Sequence, residues 1–336
     1  MTIKFKDIAK QLNISPSTVS MVVNGRPGVN KQTRMKVMKA LEEVGVQIEG
    51  KKKTSKYIRF LKYSKYGKVV DDNGFISTVT DGVDEGARSL NYQVLISTMN
   101  QDNMVEVMNM VRSDTRSGII LLGTELMEED LHILDGIDVP IVVLDNNFEF
   151  ADYDCVTMNN HRIGFNAVKY LNEKGFNEIG YLGSSFNTNN FKGRYEGYCT
   201  ALNSFGLVFN QDFVMRVDST LDGSYNDFKA LLEGGQKLPK AIFSTNDTIA
   251  IGAMKAMKEY GIKIPQDVAI MGVDNIPFGT MIEPALTTLA IYNDKMGQIA
   301  SKRLIEKIEE DDKCIMNQNV SAEIIEREST HITADA

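Results

Sequence analysis

Several polar side chains stand directly behind strand-like apolar runs. Asp145 follows IVVL, Asn246 and Asp247 follow AIFST, and Asp274 closes VAIMGV. Strand ends of this kind collect on one side of a parallel sheet, where a cleft would gather them. Carboxylates accept hydrogen bonds from hydroxyls, and the guanidinium of Arg194, at the head of RYEGYCTAL, donates in a fork. That chemistry suits a polyol or sugar, and equally a phosphorylated sugar or a nucleobase. Taken singly, an Asp or Asn behind a strand is a turn residue; four such positions together favour binding. A second group lies near the amino terminus, where Ser15, Ser17 and Ser20 crowd into SPSTVS. Small hydroxylated side chains let a backbone approach phosphates closely and bond their oxygens. Catalytic patterns are missing: the chain has no GxGxxG behind a strand, no GxxxxGK[ST], no GxSxG and no HExxH. His132, His161 and His331 are far apart in sequence, and Asp71-Asp72 and Asp311-Asp312 read as solvated loops.

The serines need an element to carry them. FKDIAKQL places Phe5, Ile8, Ala9 and Leu12 at helical spacing. After a turn at Asn13-Ile14, Ser15 is a helix cap with Pro16 in the first helical position, and Thr18, Val19, Val22 and Val23 continue until Asn24-Gly25. Helix, tight turn, helix is the helix-turn-helix arrangement, whose second helix enters the major groove, with Asn24 and Arg26 placed for the flanking backbone. A third helix is expected from Asn30 as cap through KQTRMKVMKALEEVG, with Met35, Val37, Met38, Leu41 and Val44 facing inward. Charge agrees. The first 60 residues hold 13 Lys and Arg against four acids, a net +9, while the whole 336-residue chain carries −8. A basic end on an acidic body is the footprint of a phosphate-binding module.

The strand-end residues need a scaffold as well. From residue 57, runs such as YIRFLKY, YQVLIST, SGIILLG and VPIVVLD alternate with helical periods, and NEIGYLG, AIFSTND and VAIMGVD repeat the pattern. Alternating units of this kind build parallel sheets covered by helices, here as two similar lobes with a cleft between them. A chain that is 43% hydrophobic and 24% charged is globular, and no apolar run is long enough to span a bilayer or act as a leader. A cytoplasmic protein with three reduced thiols, Cys155, Cys199 and Cys314, is the expectation.

FKDIAKQLNISPSTVSMVVNGRPGVNKQTRMKVMKALEEVG resembles the headpiece of the LacI/GalR transcriptional regulators almost position by position. STNDTIAIGAMKAMKEYGIKIPQDVAIMGVDNIP, EPALTTL and EREST resemble the family's effector-binding core, itself similar to periplasmic sugar-binding proteins. The resemblance implies an α/β chain: a three-helix headpiece at 1–46, a basic linker at 47–56, and a bilobed core at 57–336. The amino-side lobe would take about 57–158 and 292–322, and the carboxyl-side lobe 159–291 and 323–336. It implies DNA contacts from Lys4, Ser15, Pro16, Ser17, Thr18, Ser20, Met21, Asn24, Arg26, Asn30 and Thr33. Effector contacts fall on Asp145, Arg194, Asn246 and Asp274, with Phe75 as an apolar wall. The partners implied are a pseudo-palindromic double-stranded operator, a sugar-like effector and a second copy of the chain, with no cofactor, metal or membrane.

Three departures stand out. Met21 occupies the place where the family usually puts a base-reading arginine, so apolar contact with thymine methyls replaces a guanine contact. The linker VQIEGKKKTSK shows no leucine-bearing hinge helix, and it reads equally as a phosphate grip through Lys51, Lys52, Lys53 and Lys56 or as a flexible solvated tether. Ile291 stands where a glutamine is frequent, and no aromatic residue for sugar stacking lies near Ser219. A solute-binding protein sharing only the bilobed fold is the alternative; it predicts no basic headpiece, against residues 1–45.

Overall fold

The computed structural model describes residues 5–23, 29–43, 56–67, 74–114, 117–148 and 150–331. The chain divides into two units, Met1–Lys56 and Tyr57–Ala336. In the first, α1 (Phe5–Gln11), α2 (Pro16–Val23) and α3 (Lys31–Glu43) close a small core of Ile8, Ala9, Val19, Val22, Val37, Ala40 and Leu41. The turn between α1 and α2 uses Asn13 in the left-handed region at φ 52°, where asparagine is tolerated. Ser15 caps α2 through the Thr18 amide at 3.1 Å, and Asn30 caps α3 through that of Thr33 at 2.8 Å. The inward stripe of α3 is Val37, Ala40 and Leu41, corrected from the sequence reading: Met35 and Met38 are 59% and 46% exposed. A three-helix core this small accepts one narrow stripe, and the methionines lie beside it. Phe5 is likewise exposed rather than packed. Val44 and the linker up to residue 55 lie outside the described residues.

The next element, β1 (Lys56–Tyr63), runs across this division, so Lys56 opens a strand instead of ending the linker. The order continues α4 (Phe75–Ser89), β2 (Tyr92–Met99), α5 (Met104–Ser113), β3 (Ile119–Leu122), β4 (Ile141–Leu144) and β5 (Asp154–Met158). Next come α6 (Asn160–Glu173), β6 (Ile179–Ser184), α7 (Asn189–Ser204), β7 (Val214–Val217), α8 (Leu221–Glu233), β8 (Ala241–Ser244), α9 (Asp247–Glu259) and β9 (Ala269–Val273). β10 (Thr287–Ile291), α10 (Asn293–Glu310), β11 (Asn317–Val320) and β12 (Ala322–Ile325) finish it. The segment ELMEEDLHILDGI, read as an ordinary helical period, forms only a 3-10 turn over Glu128–Leu134.

Two six-stranded sheets result, in the orders β11-β5-β4-β3-β1-β2 and β12-β10-β9-β8-β6-β7. The chain passes between them after β5, after β10 and between β11 and β12. In each sheet the order turns back at the first strand, β1 in one and β6 in the other, which opens a crevice at the carboxyl ends of the strands. The strands β3, β4 and β9 are buried along their whole length, which explains their unbroken apolar sequences. Where α6 crosses α7, glycine is obligatory. A Cβ on Gly164 would lie 2.0 Å from the Arg194 carbonyl, and one on Gly197 2.0 Å from that of His161. This crossing sets the depth at which Arg194 enters the crevice.

Candidate ligand cleft and DNA-binding helices

The crevice is a cavity of about 290 Å³ at the strand ends. Phe75 enters from the first turn of α4, Asp145 from the end of β4, Arg194 from α7, Asn246 from the end of β8 and Asp274 from the end of β9. All five residues named from the sequence line it. Asp145 and Asp274 adopt left-handed backbone, φ 63° and 110°, and Asn275 follows at 55°. Non-glycine residues persist in such conformations only where the surroundings enforce them, and they cluster at functional sites.

Arg194 does not open its helix as expected; it is the sixth residue of α7, which starts at Asn189 behind the cap Thr188. Its side chain, 3% exposed, donates to the Thr245 carbonyl and, through Nε, to Asn160 Oδ1 at 3.0 Å. Its remaining nitrogen faces Asp274 at 3.7 Å. Asp145, 1% exposed, accepts from the Thr124 hydroxyl at 2.6 Å and from Asn190 Nδ2 at 3.1 Å. Burial pushes the Asp145 carboxyl up to about 7, opposed by the Thr124 hydrogen bond and the charge of Arg194. Asp274 rises to about 6, again by burial against the pull of Arg194. Behind them Asp247 is held well above the ordinary carboxylate range by burial and by the charge of Asp274, although the Thr288 hydroxyl and the Ile276 amide both donate to it. Arg194 thus serves both Asp145 and Asp274, while Arg327 is the cation acting on Asp247, and each acid gives up its proton reluctantly.

Asn246 has a double duty. Its Oδ1 accepts from the Ile249 amide at 2.9 Å and caps α9, so the turn role weighed from the sequence is real and leaves the amide nitrogen for the cleft. Thr124, Asn190 and Asn293 also line the cavity and escaped sequence reading. Thr124 follows the apolar run IILLG as Asp145 follows IVVL, so the same rule would have found it. Asn190 was hidden because α7 was started five residues late. Ile291 and Ser219 are in the wall, one apolar and one too small to stack on a ring.

In the headpiece, Ser15 Oγ lies 2.7 Å from Ser17 Oγ and 2.8 Å from Thr18 Oγ1, beyond its capping bond. Pro16 and Ser17 are exposed at the start of α2, whereas Thr18, Ser20 and Met21 are half-buried. Asn30 is exposed and Thr33 half-buried at the start of α3. Lys4, Asn24 and Arg26 lie outside the described residues.

Residues 4–47 match the model for bacterial regulatory proteins of the lacI family, and residues 168–330 that for a periplasmic binding protein-like domain. The HTH-type transcriptional repressor PurR of Vibrio campbellii is 30% identical over 318 residues, covering 91% of this chain and 92% of that protein. The chain belongs to the LacI family. Catabolite control protein A of Priestia megaterium is 28% identical over 309 residues, covering 90% of this chain and 92% of the relative. The LacI-family fold recurs in the lac repressor dimer bound to operator and the anti-inducer ONPF, at a TM-score of 0.71 and 21% identity over 98% of this chain and 99% of that one. As a LacI-family member the protein is a DNA-binding transcriptional regulator. No helix among the described residues is long and apolar enough to cross a membrane, and no cluster of three potential metal ligands occurs among them.

Proposed function

We propose that this regulator is a cytoplasmic homodimeric repressor whose operator affinity is switched by an uncharged polyol, a sugar or close derivative, held between the lobes. The observation that carries the reading is the pairing of Asp145 from one lobe with Arg194 and Asp274 from the other, around a cavity of monosaccharide scale. Hydroxyls donate to the two carboxylates and accept from the guanidinium, so a polyol satisfies both signs at once. Among the described lining residues Arg194 is the one cation. A phosphorylated ligand would therefore bring its charge to two acids with a single compensating group, which disfavours it.

Repression and dimerisation extend what the names of the relatives say of those proteins. One helix-turn-helix reads only a half-site, so a palindromic operator calls for two headpieces. An apolar groove beside Ile251, Met254, Phe278 and Met281, of about 920 Å³, supplies a surface that a second copy would cover.

A thermal-shift screen of neutral sugars, sugar phosphates and nucleobases tests the effector class, since a cleft ligand stabilises the native state according to its occupancy. Stabilisation by a neutral sugar, abolished by Arg194→Ala, is the expected outcome. Stabilisation by phosphorylated sugars alone would overturn the assignment.

A further inference from the structure

The two lobes meet at the amino end of α7. Asn190 Nδ2 donates across the cleft to the Asp145 carboxylate and to its carbonyl, each at 3.1 Å. Its own Oδ1 accepts from Asn160 Nδ2 at 2.8 Å, and Asn160 Oδ1 accepts from Arg194 Nε at 3.0 Å. Arg194 in turn faces Asp274. These contacts form one unbroken chain, from the acid of the carboxyl-side lobe to the acid of the amino-side lobe.

The direction of the chain is dictated at its start. A guanidinium nitrogen can only donate, so Asn160 must turn its oxygen to Arg194 and its nitrogen to Asn190. Asn190 must then accept with its oxygen and donate with its nitrogen, which is the polarity a carboxylate needs. No amide in the series can flip without placing donor against donor or acceptor against acceptor. Bonds ordered from cation to anion polarise one another in the same sense. Space is provided too: a Cβ on Gly193 would lie 2.9 Å from Asn160 Cβ, so glycine lets α7 approach α6 closely enough for the amides to meet.

We propose that Asn160 and Asn190 are positioning residues that latch the lobes together, relaying the orientation of Arg194 to Asp145 so that a change at either acid is felt by both lobes. Neither residue was picked out by motif or strand-end position. Asn189 reinforces the latch, donating to Asn146 Oδ1 at 3.0 Å and to the Asn147 carbonyl at 3.2 Å. A ligand that takes an oxygen of Asp145 competes directly with Asn190, and one that turns Arg194 withdraws the donor that sets Asn160. Either event reaches the lobe junction through the same two amides.

The test needs no effector, so its failure would leave the assignment of the cleft standing. Hydrogen–deuterium exchange is followed by mass spectrometry in peptides covering 145–148 and 188–194 of the full-length protein, with melting curves to confirm folding. Asn190→Asp sets a carboxylate against Asp145, with Arg194 and Asp274 as the other charged groups facing it. At pH 8 the repulsion should open the latch and raise exchange in both peptides about tenfold, after correction for intrinsic rates. At pH 5 the two carboxyls share a proton and exchange should return towards wild type. Asn190→Leu should raise exchange equally at both pH values. Asn160→Ala, which does not touch Asp145 and reaches its lobe only through the Met158 carbonyl at 3.2 Å, should loosen 145–148 in the same direction. Exchange at 145–148 within twofold of wild type in Asn160→Ala, or a pH-independent effect of Asn190→Asp, would overturn the relay.

Discussion

The headpiece and the cleft solve recognition in opposite ways. In the headpiece, cap, helix and contact surface lie within one stretch from Ser15 to Val23, and each local choice serves the same end: Ser15 caps, Pro16 starts the helix, Val19 and Val22 fill the core. In the cleft, the lining residues run from Gly74 to Asn293, and no two principal contacts are neighbours in sequence. The first is a local device built on a small core; the second exists only when two sheets, the glycine-bearing crossing of α6 and α7 and several buried charges are all in place. Local devices are separable, and distributed ones are coupled. The strongest test of the contrast is removal of the headpiece. A chain beginning at Tyr57 is expected to lose operator binding altogether in fluorescence anisotropy while keeping its melting transition and ligand stabilisation; residual operator affinity would place DNA recognition in the core.

The cleft should fail the same test of separability. Arg194→Ala removes a buried cation bonded to the Thr245 carbonyl, Asn160 and Asp274. The expectation is loss of effector binding by more than about a hundredfold in calorimetry, and destabilisation of about 3–5 kcal/mol in urea, because buried acids are left without their counter-charge. An alanine variant with native stability would show that the acids do not depend on Arg194. The headpiece has no equivalent residue, and Ser17→Ala should leave the melting temperature unchanged within error.

Acidity draws the comparison a third way. The folded-state values of Asp145, about 7, and Asp274, about 6, lie above the ordinary unfolded value near 4. Between these limits the folded chain binds more protons than the unfolded one, so stability is greatest near pH 4 on this account and declines as pH rises to 7. Asp145 alone contributes a decline of order 3 kcal/mol. Urea titrations from pH 4.5 to 7.5 should show the slope in the wild type and a shallower one in Asp145→Asn. A polyol that donates to ionised carboxylates should bind more tightly over the same rise, and so offset the loss. Identical slopes in the two proteins would remove Asp145 as the source.

Legibility followed the same division. Strand ends are visible in a sequence because a buried parallel strand must be apolar throughout and must stop at a polar residue; Asp145, Asn246 and Asp274 were readable on that rule, and Thr124 should have been. The caps Ser15 and Asn30 were visible because they satisfy amides only three residues away. Met35 and Met38 misled because helical periodicity states which residues share a face, while the width of the buried stripe depends on how large a partner that face meets. Asn160 and Asn190 carry no local signature. Their partners in the relay lie 30 to 45 residues away, and only the close approach at Gly193 brings them together.

The smallest expected effect bears on the headpiece alone. Met21 is half-buried on α2, one position beyond Ser20, and offers a base edge only apolar contact. Met21→Arg would add a fork able to bond guanine O6 and N7, worth about 1–3 kcal/mol of discrimination at one base pair. Because the phosphate contacts are untouched, the dependence of non-specific affinity on salt should rise by no more than about one added phosphate contact. Selection from random duplexes should therefore return a site altered at a single symmetric pair of positions, with a new preference for guanine, and ligand stabilisation of the core should be the same as in the wild type. A variant that changes several positions at once, or shifts the core's response to ligand, would mean that Met21 acts through the packing of α2 and that the headpiece is less separable from the rest of the molecule than its sequence suggests.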